Sequence, residues 1–287
     1  MSISIVGILW TLWGFFRLNL RKFGHNPKLY NMNPDIDKKS RILIPGSADE
    51  FYYLEGPKSR WREFVFTLKV MREFISAFRR LHFVGPCITV FGSARYKSDH
   101  PYYKLSEDLG KALTNIGFAV MTGGGPGIME GANKGAFHED GISVGAEILL
   151  PHEQNPNPFL HATAKFQYFF VRKFLLFKYS YGFIVLPGGF GTMDELFEAL
   201  TLIQTKKIKN FPIVVMGTKY YQPLSSLLEH MAKEETIDTA DLDLVLFTDS
   251  IQEAMDHIQH HSIERFKLKK IAKALPYFGE SSFTTNQ

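Results

Sequence analysis

The sequence predicts an α/β protein: a doubly wound, Rossmann-like parallel sheet with helices on both faces, preceded by N-terminal accessory helices. Three observations predict it. Short continuous apolar runs, such as CITVF (87–91), FIVLP (183–187) and PIVVMG (212–217), are those of strands buried on both faces. Between them lie stretches with apolar residues at helical spacing. Two glycine clusters, Gly123-Gly124-Gly125-Pro126-Gly127 and Gly188-Gly189-Phe190-Gly191-Thr192, each follow a strand and precede a helix. Ligands of such folds bind at those strand ends.

The elements follow in order. Residues 61–81 read as an accessory helix, with Trp61, Phe64, Val65, Leu68, Met71, Ile75 and Phe78 at helical spacing. CITVF is the first strand, and a helix over 102–116 follows. FAVMT (118–122) is a strand ending in the first glycine cluster, and 128–138 is a helix. ISVGAEILL (142–150) is a strand before the loop PHEQNPNP. FQYFF (166–170) reads as a strand or extended segment, and VRKFLLFKYSY as a helix. FIVLP runs into the second cluster, and 193–205 is helical. PIVVMG, a helix over 221–234, LVLFT (244–248) and a helix over 250–261 complete the pattern.

This divides the chain into an apolar segment at 1–22, a linker and accessory helix at 23–84, a Rossmann-like domain at 85–262 and a basic tail at 263–287. The apolar segment is unusual: Ile3 to Phe16 carries no charge, and Arg17, Arg21 and Lys22 follow. It is short for a spanning helix, which needs about 20 apolar residues. It also lacks the basic leader and small-residue cleavage site of a signal peptide. Three readings stand: an interfacial membrane anchor with Trp10, Trp13, Phe15 and Phe16 in the headgroup region, a helix packed on the body or a second subunit, or a short span.

The chain of 287 residues can bury a sizeable core. Its single cysteine, Cys87, excludes an internal disulfide framework and reads as a small buried hydrophobe. A reducing compartment fits, so the expected location is the cytoplasm, with peripheral membrane association if residues 3–16 anchor. Charge is uneven. Residues 1–80 hold fourteen Lys/Arg against seven Asp/Glu, and the remainder nineteen against twenty-two. Nucleic-acid binding needs a basic stripe with interleaved aromatics on the folded domain. None is present there; Arg265, Lys267, Lys269, Lys270 and Lys273 form only a short basic tail.

A glycine loop feeding a helix start is an anion site, because N–H groups converge and glycine lets phosphate approach. Two such loops suggest one ligand between two helix starts. The dinucleotide pattern G-x-G-x-x-G fails, since Glu130 and Asp194 stand where the third glycine belongs. A P-loop is excluded because neither cluster carries G-K-[ST]. Glu147, twenty residues after Gly127, is placed where a ribose-binding acid could sit. Thr192-Met193-Asp194-Glu195 fits a capping box, with Thr192 as N-cap and Glu195 reaching back. A cap carboxylate beside a phosphate is a second anion in one small space. It calls for a nearby cation, and Arg172 and Lys173, at the start of the helix before the strand that leads into this cluster, are the candidates. His257, His260 and His261 have metal-like spacing on one helix but no acid or thiol partner, so no metal is expected.

FGSAR (91–95), TGGGPGIMEGANKGA (122–136), Arg172-Lys173 and PGGFGTMDE (187–195) resemble the LONELY GUY (LOG) family, often labelled lysine decarboxylase-like. The resemblance covers roughly residues 85–260, and VGAEILLPHEQNPNP is similar to the larger bacterial subgroup. It implies hydrolysis of the N-glycosidic bond of a nucleoside 5′-monophosphate, cytokinin ribotide or AMP-like, to free base and ribose 5-phosphate. It implies Arg172 and Glu195 as the catalytic pair. Gly188, Gly189, Gly191 and Thr192 form the phosphate loop, with Lys173 beside it. Gly124, Gly125 and Glu130 line the ribose side. It implies a homodimer or higher oligomer and no cofactor. Decarboxylation would need pyridoxal phosphate on a Schiff-base lysine, and no segment recommends a lysine for that. The alternative is a non-catalytic nucleotide or cofactor carrier, for which the glycine loops alone suffice.

Overall fold

A computed structural model describes residues 56, 59–150, 157–209 and 211–263. The chain divides into two units, Met1–Gly56 and Pro57–Gln287, and every described element lies in the second. The apolar segment 3–16, the linker before Ser59 apart from Gly56, the loop at 151–156 and the basic tail from Arg265 lie outside the described residues.

The elements are α1 (Arg60–Leu81), β1 (Cys87–Phe91), α2 (Pro101–Asn115), β2 (Ala119–Thr122), α3 (Ile128–His138), β3 (Ser143–Ile148), β4 (Ala162–Phe166), α4 (Phe169–Tyr179), β5 (Ser180–Val185), α5 (Phe190–Gln204), β6 (Ile213–Val215), α6 (Thr218–Lys233), β7 (Val245–Phe247) and α7 (Ile251–Ile258). Local chemistry starts several of them. The Ser59 and Ser250 side chains cap α1 and α7, and His100 caps α2 ahead of Pro101. Proline suits a first helical position because its missing N–H would go unpaired there anyway.

The seven strands are all parallel, in the order β4-β3-β2-β1-β5-β6-β7. Alternate strand residues feed two cores. Phe91, Phe183, Val185 and Val215 face one side, packed with Leu81 of α1, Leu175 and Leu176 of α4, Leu196 of α5 and Tyr221 of α6. Val90, Ile184, Leu186 and Val214 face the other, packed with Leu109 and Leu113 of α2, Ile128 of α3 and Met255 of α7. This double covering explains the unbroken apolar runs. Cys87 is fully buried there, and burial pushes its thiol up to about 12.

One strand differs from expectation. FQYFF is not a strand: β4 occupies Ala162–Phe166, and α4 begins at Phe169. As the sheet's outer strand it needs apolar residues on one face only, so ATAKF alternates polar and apolar and shows no run.

The order of strands reverses between β1 and β5. That makes their carboxyl ends the switch point where open α/β sheets bind ligands.

Candidate active site

Three loops meet at this switch point, and the loop after β1 joins the other two. The Ser93 N–H donates to the Pro187 carbonyl (2.9 Å), and the Ser93 carbonyl accepts from Ile128 N–H at the start of α3 (3.0 Å). Gly127 makes the approach feasible. Its φ is +72°, and a Cβ there would collide with the Ser93 carbonyl oxygen. The FGSAR stretch is therefore a clasp between the two glycine loops.

The clasp makes the two helix starts unequal. At α3 it occupies the first N–H. At α5 no side chain caps the helix, and the N-cap is Gly189. Phe190, Gly191 and Thr192 thus occupy the first turn, the place where converging N–H groups and the helix dipole favour an anion. This corrects the capping-box expectation: Thr192 is three residues inside the helix and Glu195 six. The Thr192 hydroxyl instead fills the space over Gly188, where a Cβ would otherwise stand. At Gly189 and Gly191 a Cβ would meet nothing within 4 Å, so the loop's outer face is open. Phe190 between them is 96% exposed. The Gly188 carbonyl is fixed from behind by the Tyr220 hydroxyl (2.7 Å), and the Leu186 carbonyl by Tyr221 (2.8 Å).

Arg172 comes from the first turns of α4. Its Nη2 donates to Glu195 Oε1 at 3.1 Å, and both side chains are largely buried. The same nitrogen would lie 3.0 Å from a Cβ on Gly123, so the guanidinium rests against the first glycine loop while holding the helix of the second. Its Nε is buried and has no hydrogen-bond partner among the described residues. Glu195 is only 7% exposed, and burial raises its carboxyl to about 7. The Arg172 charge opposes that rise, Asp194 adds to it, Lys173 opposes and Glu198 adds. A carboxyl held near neutrality by competing influences is a mark of acid–base and charge-stabilising sites.

The remaining candidates divide. Lys173 is turned to α5, bridging Asp194 (2.7 Å) and Glu198 (3.0 Å), and so ties the two helices together rather than standing as a free cation. Gly124 donates its N–H to the Thr122 hydroxyl (2.9 Å), with φ +71°, and Gly125 beside it is buried. Glu147 arches over this loop, its Cγ 2.6 Å from where a Gly124 Cβ would stand. Glu130 accepts from the Tyr103 hydroxyl of α2 (2.8 Å). The histidine group lies by the amino-terminal end of the strands, opposite the glycine loops, since neighbouring Ser262 donates to the Tyr181 carbonyl where β5 begins.

Sequence reasoning missed the residue that organises the first loop. Asn133 is fully buried on α3. It accepts from Thr122 (2.5 Å) and Asn157 (3.0 Å) and donates to Ser143 (2.8 Å). Thr122 in turn receives the Gly124 N–H, so Asn133 sets the loop from behind. The available signal was an amide on the apolar face that carries Ile128, Ala132 and Ala136.

Comparison with known proteins gives the same assignment as the motifs. A family profile described as "Possible lysine decarboxylase" matches residues 129–258. A probable cytokinin riboside 5′-monophosphate phosphoribohydrolase of Oryza sativa subsp. japonica is 30% identical over 172 residues, 58% of this chain and 74% of the relative. A cytokinin riboside 5′-monophosphate phosphoribohydrolase of Rhodococcoides fascians is 30% identical over 176 residues, 60% of this chain and 88% of the relative. The chain belongs to the LONELY GUY family. Among solved structures, the Moco carrier protein of Chlamydomonas reinhardtii is 20% identical, covering 63% of this chain and 99% of that one with a TM-score of 0.46. The LONELY GUY motifs span the clasp, both glycine loops and the Arg172–Glu195 pair. Helix α1 precedes the family profile. No helix among the described residues is long and apolar enough to cross a membrane.

Proposed function

We propose that this chain hydrolyses the N-glycosidic bond of a nucleoside 5′-monophosphate, releasing free base and ribose 5-phosphate. The observation that carries the reading is the buried Glu195 carboxylate, held by Arg172 at 3.1 Å between the two glycine loops. A carrier has no use for a desolvated anion beside a phosphate site, whereas ribosyl cleavage does. Such cleavage passes through an oxocarbenium-like state, which a carboxylate near C1′ stabilises while orienting water.

In this reading the 5′-phosphate sits on the open start of α5, at Gly189, Gly191 and Thr192. Gly188 and Tyr220 hold that loop in place. Gly124, Gly125 and Glu147 line the ribose side. Binding energy spent on the phosphate positions C1′ at Glu195. Water then adds its oxygen to C1′, the C1′–N bond breaks, and a proton passes to the departing base. Arg172 keeps Glu195 in register and favours its ionised form. Lys173 serves the same end by locking α4 to α5, and Glu130 by tying α3 to α2.

The test is a panel of nucleoside 5′-monophosphates, cytokinin ribotides and AMP among them, followed for free base and ribose 5-phosphate. Release from at least one member is expected, and tight binding without release from any would make the protein a carrier. In Glu195→Gln, turnover is expected to fall by about two to four powers of ten, the usual scale for losing such a group, with nucleotide binding retained.

A further inference from the structure

The segment that leads into β4 is fastened to the first glycine loop from behind. Asn157 is buried and donates to Asn133, and its amide oxygen accepts the Phe159 N–H (3.0 Å). The Phe159 carbonyl accepts from the Ser143 hydroxyl (2.6 Å). Leu160 packs on Gly145. A Cβ there would lie 2.7 Å from Leu160 and 3.2 Å from the Gly124 Cα, so one missing side chain lets segment and loop close on the same strand. His161 completes the attachment. Its N–H donates to the Ser143 carbonyl (2.9 Å), and its Nδ1 accepts the Ser143 N–H (3.2 Å). From there an unbroken hydrogen-bonded chain runs through the Ser143 hydroxyl, Asn133 and Thr122 to the Gly124 N–H. Phe137 of α3 steadies the imidazole, stacked on it at 4.6 Å.

We propose that His161 is a positioning residue for the ribose side of the site, setting the Gly124 loop through Ser143, Asn133 and Thr122. Its kinetic consequence rests on the phosphoribohydrolase reading, while its effect on the loop does not. Only a neutral imidazole, with its proton on Nε2, can accept the Ser143 N–H; an imidazolium would set one N–H against another. Charged and titratable groups stand on the neighbouring elements. His138 at the end of α3 faces Phe159, Glu139 and Asp140 follow it towards β3, and Arg80 of α1 donates to the Thr163 carbonyl (2.9 Å). Burial of the ring prevails and holds its proton affinity below the usual histidine range. The acceptor is therefore present at neutral pH and is lost as pH falls.

Two substitutions separate the acceptor from the ring. His161→Phe keeps a ring against Phe137 and removes the acceptor. His161→Asn puts an amide oxygen near the place of Nδ1, and that oxygen does not titrate. Hydrogen exchange at the Gly124 N–H needs no substrate. It is expected to run about tenfold faster in His161→Phe and at the wild-type rate in His161→Asn. With a nucleotide that wild type cleaves, kcat/KM should fall about tenfold in His161→Phe, since small misplacements of a reacting centre cost that much or more, and recover in His161→Asn. Below about pH 6, wild type should lose more activity than His161→Asn, beyond the Glu195 limb that both share. Asn157→Ala cuts the same network at its other attachment and should also speed Gly124 exchange. Unchanged exchange in both His161→Phe and Asn157→Ala overturns the proposal, as does a His161→Asn variant no better than His161→Phe. The expected exchange pattern without base release from wild type would uphold the positioning of the loop and remove the hydrolase reading.

Discussion

At Glu195, burial and charge pull in opposite directions. Burial raises the carboxyl to about 7 and Arg172 restrains the rise. Since the proposed chemistry uses the carboxylate, kcat/KM should climb with pH up to about 7 and then level off. Arg172→Gln removes the restraint, so the acid limb should move to higher pH as turnover falls. A pH–rate profile with an unmoved limb would mean that Arg172 does not govern Glu195. The same shift has a sign for stability. Between its ordinary 4.5 and about 7 the folded state keeps a proton that the unfolded state releases. Stability from this group is therefore complete below 4.5, declines as pH rises through that window, and is level above it. Thermal melts of Glu195→Gln across the window should lack that decline. The glycines separate just as clearly. Gly188→Ala would collide with Thr192 and should lower stability by about 1–3 kcal/mol. Gly191→Ala meets open space inside a helix, so its Tm should hold or rise while calorimetry shows weaker nucleotide binding.

At the scale of elements, the strands buried on both faces were legible because an unbroken apolar run has few other uses. The outer strand β4 was not, since its one-sided burial leaves no run. The start of α5 was misread for a different reason. Thr-x-x-Glu fits a capping box locally, but the side chain of Thr192 is needed over Gly188, and this places Thr192 inside the helix. Arg172 and Glu195 were visible as motif residues. Contact between Arg172 and Gly123 was not, because 49 positions separate them and only the crossover through β4 and α4 brings them together. Asn133 escaped because an amide amid apolar residues announces no partners. Its hydrogen bonds with Thr122, Ser143 and Asn157 are buried, so Asn133→Leu would orphan several polar groups. We expect a loss of about 2–5 kcal/mol, read by urea denaturation, and weaker substrate binding through the Gly124 loop.

For the whole molecule, function follows from where the strand order reverses. Winding away from β1 in both directions leaves a crevice at one sheet edge, and the Ser93 clasp closes it into a site with one open helix start. The amino-terminal ends of the strands, away from that crevice, carry the histidines. One measurement bears most directly on the central claim. Wild type and Glu195→Gln are incubated with nucleoside 5′-monophosphates, and free base, ribose 5-phosphate and nucleotide affinity are measured together. The account predicts equimolar base and ribose 5-phosphate from wild type, and a variant that binds comparably but barely turns over. Near-normal turnover in the variant, or binding without product from wild type, would contradict it.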